Sequence, residues 1–276
     1  MRHFDYSEEY YEQGIDGFHK DSFPIISRLF AEAIPEPLNL SNILDFGCGN
    51  GFYGGLLRGT GANVDGVDVS SVLPGHVNSK HYRGFTRADL GKPWKPEDEY
   101  DVVFSVEVIE HVENYDQFLA NACTALRPGG KVFLTTTTYL CYLFILLVVY
   151  RRQVSFTSLT EFLRGLAGDD RARTTFIQRF WEYSTGHYHG FSKRQLRSGF
   201  ENAGFIIERL EYLHVQNMFP VHYLDQPYDR RYKQLVKTAV PFIKAVGRAV
   251  NWTCRYFNLN APNVLVIARK PQTGLR

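Results

Sequence analysis

The residues best able to do chemistry fall in two short stretches. The first is Leu44-Asp45-Phe46-Gly47-Cys48-Gly49-Asn50-Gly51, where a predicted strand runs into three glycines at alternate positions and a helix is expected from Phe52. Glycine accepts positive φ and has no Cβ, so such a loop turns tightly and lets a ligand lie close to the backbone. Asp68 ends the next predicted strand, 19 residues after Gly49. A carboxylate there can accept hydrogen bonds from ribose hydroxyls. Asp89 and Leu90 end the third, a polar and an apolar side chain that together can hold an adenine. A GxGxG run alone is shared with nicotinamide enzymes; the later acids narrow its meaning.

The second stretch is Glu107-Val108-Ile109-Glu110-His111, just past the fourth predicted strand. If a helix starts here, Glu107, Glu110 and His111 share one face. Two carboxylates and an imidazole could bind a hard divalent ion such as Mg²⁺. His111 could equally act as a metal-free general base. A third reading has Glu110 or His111 capping or packing locally while Glu107 lines the nucleoside pocket.

These residues need a scaffold that brings strand ends together. Ile43–Phe46, Val64–Asp68, Gly84–Ala88, Tyr100–Val106 and Lys131–Thr136 are short apolar runs bounded by Gly, Pro or Asp, as expected of buried parallel strands. Helical spacing lies between them, as in Tyr115–Leu126. Apolar positions from Asp21 to Ile34 predict a helix capped by Asp21 or Ser22 and stopped by Pro35 and Pro37. The rhythm breaks after Thr138, resumes with a helix over Ser192–Ala203 and a strand over Phe205–Tyr212, and ends on Val264–Ala268.

The expected fold is α/β: a doubly wound, seven-stranded, mostly parallel sheet in a single domain over 1–276. It divides into a helical N-terminal cap (1–41), a nucleoside-binding half (42–138), an apolar insertion or lid (139–190), the end of the sheet (191–212 and 262–270) and a second insertion (213–261). Ligands of such a sheet lie beyond the carboxyl ends of its strands. Both insertions leave from that edge if the last two strands are antiparallel.

The 31 basic and 29 acidic residues nearly cancel, so no nucleic-acid partner is expected. Four scattered cysteines without a CxxC pair fit a reducing compartment, and the polar N-terminus lacks a signal-peptide core, which together suggest a cytoplasmic protein. Tyr139–Tyr150 is apolar and uncharged for 12 residues before Arg151-Arg152. Spanning a membrane takes about 20 residues. The run could instead dock on anionic lipid with Arg164, close as a lid, or pack as a buried helix. Leu235–Phe257 mixes apolar and basic positions in a similar way, and Tyr6, Tyr10 and Tyr11 could close over the ligand. Oligomeric state has no signal in the sequence.

In order along the chain, LDFGCGNG, VDGVDVS, ADL, DVVFSVEVIEHV, LRPGGKVFLT and HYHGFSKRQLRSGFENAGF resemble the class I S-adenosylmethionine (SAM)-dependent methyltransferases over about 40–138 and 187–212. Within that group the chain is most similar to the ubiquinone-biosynthesis O-methyltransferases. The resemblance implies that Gly47, Gly49 and Gly51 pass the methionine part of SAM, and that Asp45 orients their loop. It also implies that Asp68, with Val69 beside it, holds the ribose, that Asp89 and Leu90 hold the adenine, and that Glu107 borders the cofactor. The ExxEH arrangement is similar to that of small-RNA 2′-O-methyltransferases and some quinone O-methyltransferases. There it implies a metal on the acceptor oxygen, completed by a further histidine, here His187 or His189. The reaction so implied is methylation of a hydroxyl on a small or lipid-linked acceptor; a catalytically silent scaffold and an RNA methyltransferase are the alternatives.

Overall fold

The computed structural model describes residues 16–34, 41–139, 142, 156–179, 186–213, 249 and 263–272. Five strands run parallel: β1 (Asn42–Phe46), β2 (Asn63–Asp68), β3 (Gly84–Arg87), β4 (Tyr100–Val106) and β5 (Leu126–Thr137). β6 (Ile206–Leu213) and β7 (Asn263–Arg269) complete one sheet in the order β3-β2-β1-β4-β5-β7-β6, with β7 antiparallel to both neighbours. The doubly wound α/β fold expected from the alternating pattern is the fold observed. Burial follows position. Every residue of central β4 is buried, whereas β3 at the sheet margin is mostly exposed, which accounts for its weak apolar signal.

Two helical layers cover the sheet. α1 (Asp16–Ala33) and α2 (Gly54–Gly59) take one face, where Ile26, Phe30 and Leu57 join Phe104 and Phe133. Phe104 stacks on Phe133 at 5.3 Å, and Phe30 meets both rings edge-on. α3 (Tyr115–Ala125) and α6 (Lys193–Asn202) take the other, through Phe118, Leu119, Leu196 and Phe200. The Asn114 side chain caps α3, and Ser192 with Gln195 forms a capping box on α6. α1 packs into the core on this face of the sheet. It also starts before the expected Asp21/Ser22 boundary. Ser22 lies inside it, and its hydroxyl donates to the His19 carbonyl at 3.2 Å.

The order in which strands are added reverses between β1 and its parallel neighbour β4, which opens a crevice at their carboxyl ends. The Ser105 hydroxyl, donating to the Phe46 carbonyl at 2.8 Å, ties the two strands there. The pairings Thr137↔Asn263 and Leu213↔Asn263 put the exit of β5, the exit of β6 and the entry of β7 side by side on that same edge. Both insertions thus start from the ligand side, as the hairpin argument expected. In the first insertion, α4 (Phe156–Leu166) packs on α5 (Asp170–Arg179) through Phe162 and Phe176, with Tyr139 stacked on Phe162. Buried Arg173 donates to the Gly165 carbonyl and to Gln195, binding this pair to α6. Apart from Tyr139 and Tyr142, the apolar run lies outside the described residues, as do Tyr6, Tyr10, Tyr11 and, but for Ala249, the Leu235–Phe257 stretch.

Candidate active site

The glycine loop has the backbone its sequence requires. Gly47 and Gly49 sit at φ +89° and +51°. A Cβ on Gly47 would come within 2.4 Å of Val108, so the loop and the segment after β4 are pressed together. Asp68 is buried, and its two carboxylate oxygens accept from the Gly49 N–H at 2.9 Å and the Ser70 N–H at 2.7 Å. Each oxygen retains acceptor capacity for a hydroxyl. Burial raises the Asp68 pKa, and these backbone bonds oppose the rise. Val69, next to it, exposes its apolar side chain.

Asp89 is half exposed; it caps its own turn through the Gly91 N–H at 3.0 Å and pairs with Lys92 at 3.0 Å, above buried Leu90. Asp45, expected to orient the glycine loop, accepts the Tyr82 hydroxyl at 2.6 Å. Burial pushes its pKa up to about 7; the Tyr82 hydrogen bond opposes the rise and the Asp68 charge adds to it. Tyr82 was not singled out from the sequence, because it follows a 3₁₀ turn, Val77–His81, that carries no apolar pattern.

The EVIEH segment is not a helix starting at Glu107. Glu107 has φ +55°, a conformation unusual for a residue with a side chain, and only Ile109–His111 form a single 3₁₀ turn. This kink, rather than a helix face, brings the acids together. The Glu107 carboxylate accepts from Thr135 at 3.0 Å and from the Asn263 amide, and Glu110 accepts from Thr136 at 2.8 Å. The two carboxyls meet. Burial raises both pKa values, and the Glu107 charge raises that of Glu110 further.

The second histidine of the cluster comes from the Gly186–Phe191 segment. Tyr188 and His189 N–H groups clamp the Glu110 carbonyl at 2.7 and 3.2 Å. That grip turns His187 inward, its ring 4.4 Å from that of His111 and edge-on to it. The group with metal-binding geometry among the described residues is Glu110, His111 and His187, their donor atoms within 4.8 Å of one another. The expected set of Glu107, Glu110 and His111 is corrected accordingly: Glu107 supports Glu110 from beside it. His189, expected to be catalytic, is directed elsewhere. Its Nε2 lies 3.0 Å from the Glu113 carbonyl, and its ring packs against Tyr115 and Phe191. Burial lowers the His111 pKa to about 4 and that of His187 well below its ordinary value, so both are neutral imidazoles near pH 7. Asn263 was legible in principle, as a polar residue opening an antiparallel strand at the ligand edge.

The glycine loop, Asp68 and exposed Val69 lie together at the carboxyl ends of β1 and β2, and Val108 joins them to the acid–histidine cluster. Buried oxygens of Glu110, Thr137 and Asn263 have no hydrogen-bond partner among the described residues, which marks the same edge as polar and ready to receive a ligand. Neutral imidazoles beside a carboxyl can accept a proton or ligate a cation.

Known proteins share part of this sequence and its fold. Ubiquinone biosynthesis O-methyltransferases of Rhizobium etli (strain CIAT 652) and Agrobacterium fabrum are 32% and 34% identical to the chain over 111 and 109 residues, covering 37% and 36% of it. The match spans 43% and 42% of those relatives' own length. A SAM-dependent methyltransferase from Mesorhizobium loti shares the fold at 18% identity and TM-score 0.56, over 91% of this chain and 98% of that one. Phosphoethanolamine N-methyltransferase 2 of Haemonchus contortus, in complex with SAM, does so at 17% and 0.58, over 96% and 58%. A methyltransferase-domain family model matches residues 18–210, which take in most of the sheet and all of the candidate site except Asn263. With that match over most of its length, the chain belongs to the methyltransferase domain family, and its seven-stranded sheet is the fold of the SAM-dependent methyltransferases it resembles.

Proposed function

We propose that this chain transfers the SAM methyl group to a hydroxyl of a small or lipid-linked acceptor, with Gly47, Gly49, Gly51, Asp68, Val69, Asp89 and Leu90 holding SAM. The carrying observation is that the Glu110–His111–His187 cluster shares one sheet edge with the glycine loop, joined to it by the Val108–Gly47 contact. SAM supplies a methyl group already activated on a sulfonium, which leaves the protein to align the acceptor and take its proton. His111, neutral near pH 7, is suited to accept that proton. Glu107 and Glu110, anchored by Thr135, Thr136 and Asn263, fix the turn that carries it. The names of the curated relatives support oxygen as the methylated atom.

The donor set favours one second reading. Glu110, His111 and His187 would hold a divalent cation, which would supply a Lewis acid to the acceptor oxygen. Such a site would need Glu110 as its carboxylate. Turnover on a panel of phenols and catechols, with and without prenyl tails, read by mass spectrometry in EDTA and in Mg²⁺, tests both. A methylated product formed equally in EDTA supports the metal-free base. Product only with Mg²⁺ supports the cation, and no product from any hydroxyl acceptor contradicts the O-methyl reading.

The lipid-linked acceptor brings a membrane with it. No helix among the described residues is long and apolar enough to cross a bilayer. Leu159, Leu163 and Leu166 nevertheless form an exposed stripe on α4, shortly after the apolar run and Arg151-Arg152. This supports peripheral contact with anionic lipid. Flotation with anionic liposomes should recover the wild type and lose a Leu143→Asp, Leu147→Asp variant; equal recovery of both in the soluble fraction would contradict it.

A further inference from the structure

Asp45 and Asp68 both stand beside the glycine loop, but they are held in different ways. Asp68 is gripped by main-chain N–H groups of Gly49 and Ser70. Asp45 is held by a side chain 37 positions away, the Tyr82 hydroxyl at 2.6 Å. The Asp45 side chain is buried, and a buried carboxylate depends on the donors that reach it.

Three glycines make room for the Tyr82 ring. A Cβ on Gly51 in the loop, on Gly54 at the start of α2 or on Gly66 in β2 would come within 2.9, 2.5 or 3.2 Å of it. The ring is thus a wedge where the loop, α2 and β2 meet. The connection from β2 to β3, which carries Tyr82, touches the loop at two further points. The Asn78 amide donates to the Asn50 carbonyl at 3.2 Å, and Leu73 lies where a Cβ on Gly51 would come within 2.6 Å of it. Glycine gives the loop its turns but little to hold them. The holding groups come from outside the loop.

We infer that Tyr82 is a positioning residue of the cofactor loop, fixing the Asp45 carboxylate through its hydroxyl and the turns at Gly51 and Gly54 through its ring. The inference rests on the reading of that loop as the seat of SAM. It gives the β2–β3 connection a part in setting SAM affinity without touching SAM. Loss of the hydroxyl deprives a buried carboxylate of a donor and lets the loop leave the shape that SAM needs. SAM must then restore that shape on binding, which weakens its apparent affinity.

Isothermal titration of SAM into the full chain tests this against a matched tyrosine. Tyr100 also donates to a buried aspartate, Asp65, at 3.0 Å, where Arg83 holds it as well. Asp65 precedes Gly66 in β2, so its side chain takes the opposite face of the sheet. Tyr82→Phe, which keeps the ring, should weaken SAM binding about tenfold. Tyr100→Phe, which loses the same kind of bond away from the loop, should bind SAM as the wild type does. Asp45→Ala should weaken binding at least as much as Tyr82→Phe. Asp45→Asn keeps an acceptor for the hydroxyl and should bind more tightly than Asp45→Ala. Wild-type affinity in a folded Tyr82→Phe protein, equal weakening in Tyr100→Phe, or an Asp45→Asn variant as weak as Asp45→Ala would each overturn the inference. The reading of the loop as the SAM seat fails separately, through a wild type that binds no SAM.

Discussion

The cofactor end and the acceptor end of the ligand edge are built by different means. At the cofactor end, one contiguous stretch from β1 to β2 supplies nearly everything, and the main chain does much of the work: positive-φ glycines and two N–H groups held by Asp68. At the acceptor end the parts come from the kink after β4, the tip of β5, the start of β7, the Gly186–Phe191 segment and Tyr142. There, side chains hold side chains. A site encoded in one run of backbone is robust and readable. A site assembled from distant segments is free to change its acceptor when an insertion changes, without disturbing SAM.

That contrast can be broken by mutation, and the largest effect should come from the backbone. Gly49→Val puts a β-branched residue at φ +51°. It should abolish calorimetrically detectable SAM binding while circular dichroism remains that of a folded protein. Retained affinity would mean that the loop does not depend on its glycines. On the acceptor side, His111→Ala should lower kcat by about 10²–10⁴-fold with SAM affinity unchanged. A parallel loss of both would mean that the two ends are one site rather than two.

The pH dependence of stability sharpens the cofactor end. Asp45 has its pKa raised from 3.8 to about 7 in the fold. The folded state therefore keeps a proton that the unfolded state has lost, and this contribution is full below pH 3.8 and fades as pH rises through about 7. At 1.36 kcal/mol per pH unit the change is about 4 kcal/mol. Asp45→Asn does not titrate, so its stability relative to wild type in urea melts of the SAM-free protein should rise by about that amount from pH 4 to pH 8. A pH-independent difference would show that Asp45 is already ionised in the fold.

Legibility in the sequence follows the same division. The parallel strands and the glycine loop were readable because each is local: period, composition and turn residues within a few positions. The existence of the EVIEH cluster was readable, but its geometry was not. A helix would have placed Glu107 on one face with Glu110 and His111, whereas the turn at φ +55° leaves it beside Glu110 as a support and outside the Glu110–His111–His187 group. The choice between His187 and His189 depended on which main-chain groups clamp the Glu110 carbonyl, a contact 78 positions away in the chain for Tyr188 and invisible to any local pattern. The start of α1 was misplaced for a related reason. Ser22 has the composition of a cap, but its hydroxyl is used within the helix and beside Tyr53.

The smallest of these effects is also the most direct test of the central claim, that this edge holds SAM by the carboxylate of Asp68 independently of the acid–histidine cluster. Isothermal titration of SAM into the wild type, Asp68→Ala and His111→Ala reads it in one experiment. Loss of a buried charged acceptor should weaken binding by about 1–3 kcal/mol in Asp68→Ala, with His111→Ala matching the wild type. Equal affinity in wild type and a folded Asp68→Ala protein would contradict the account.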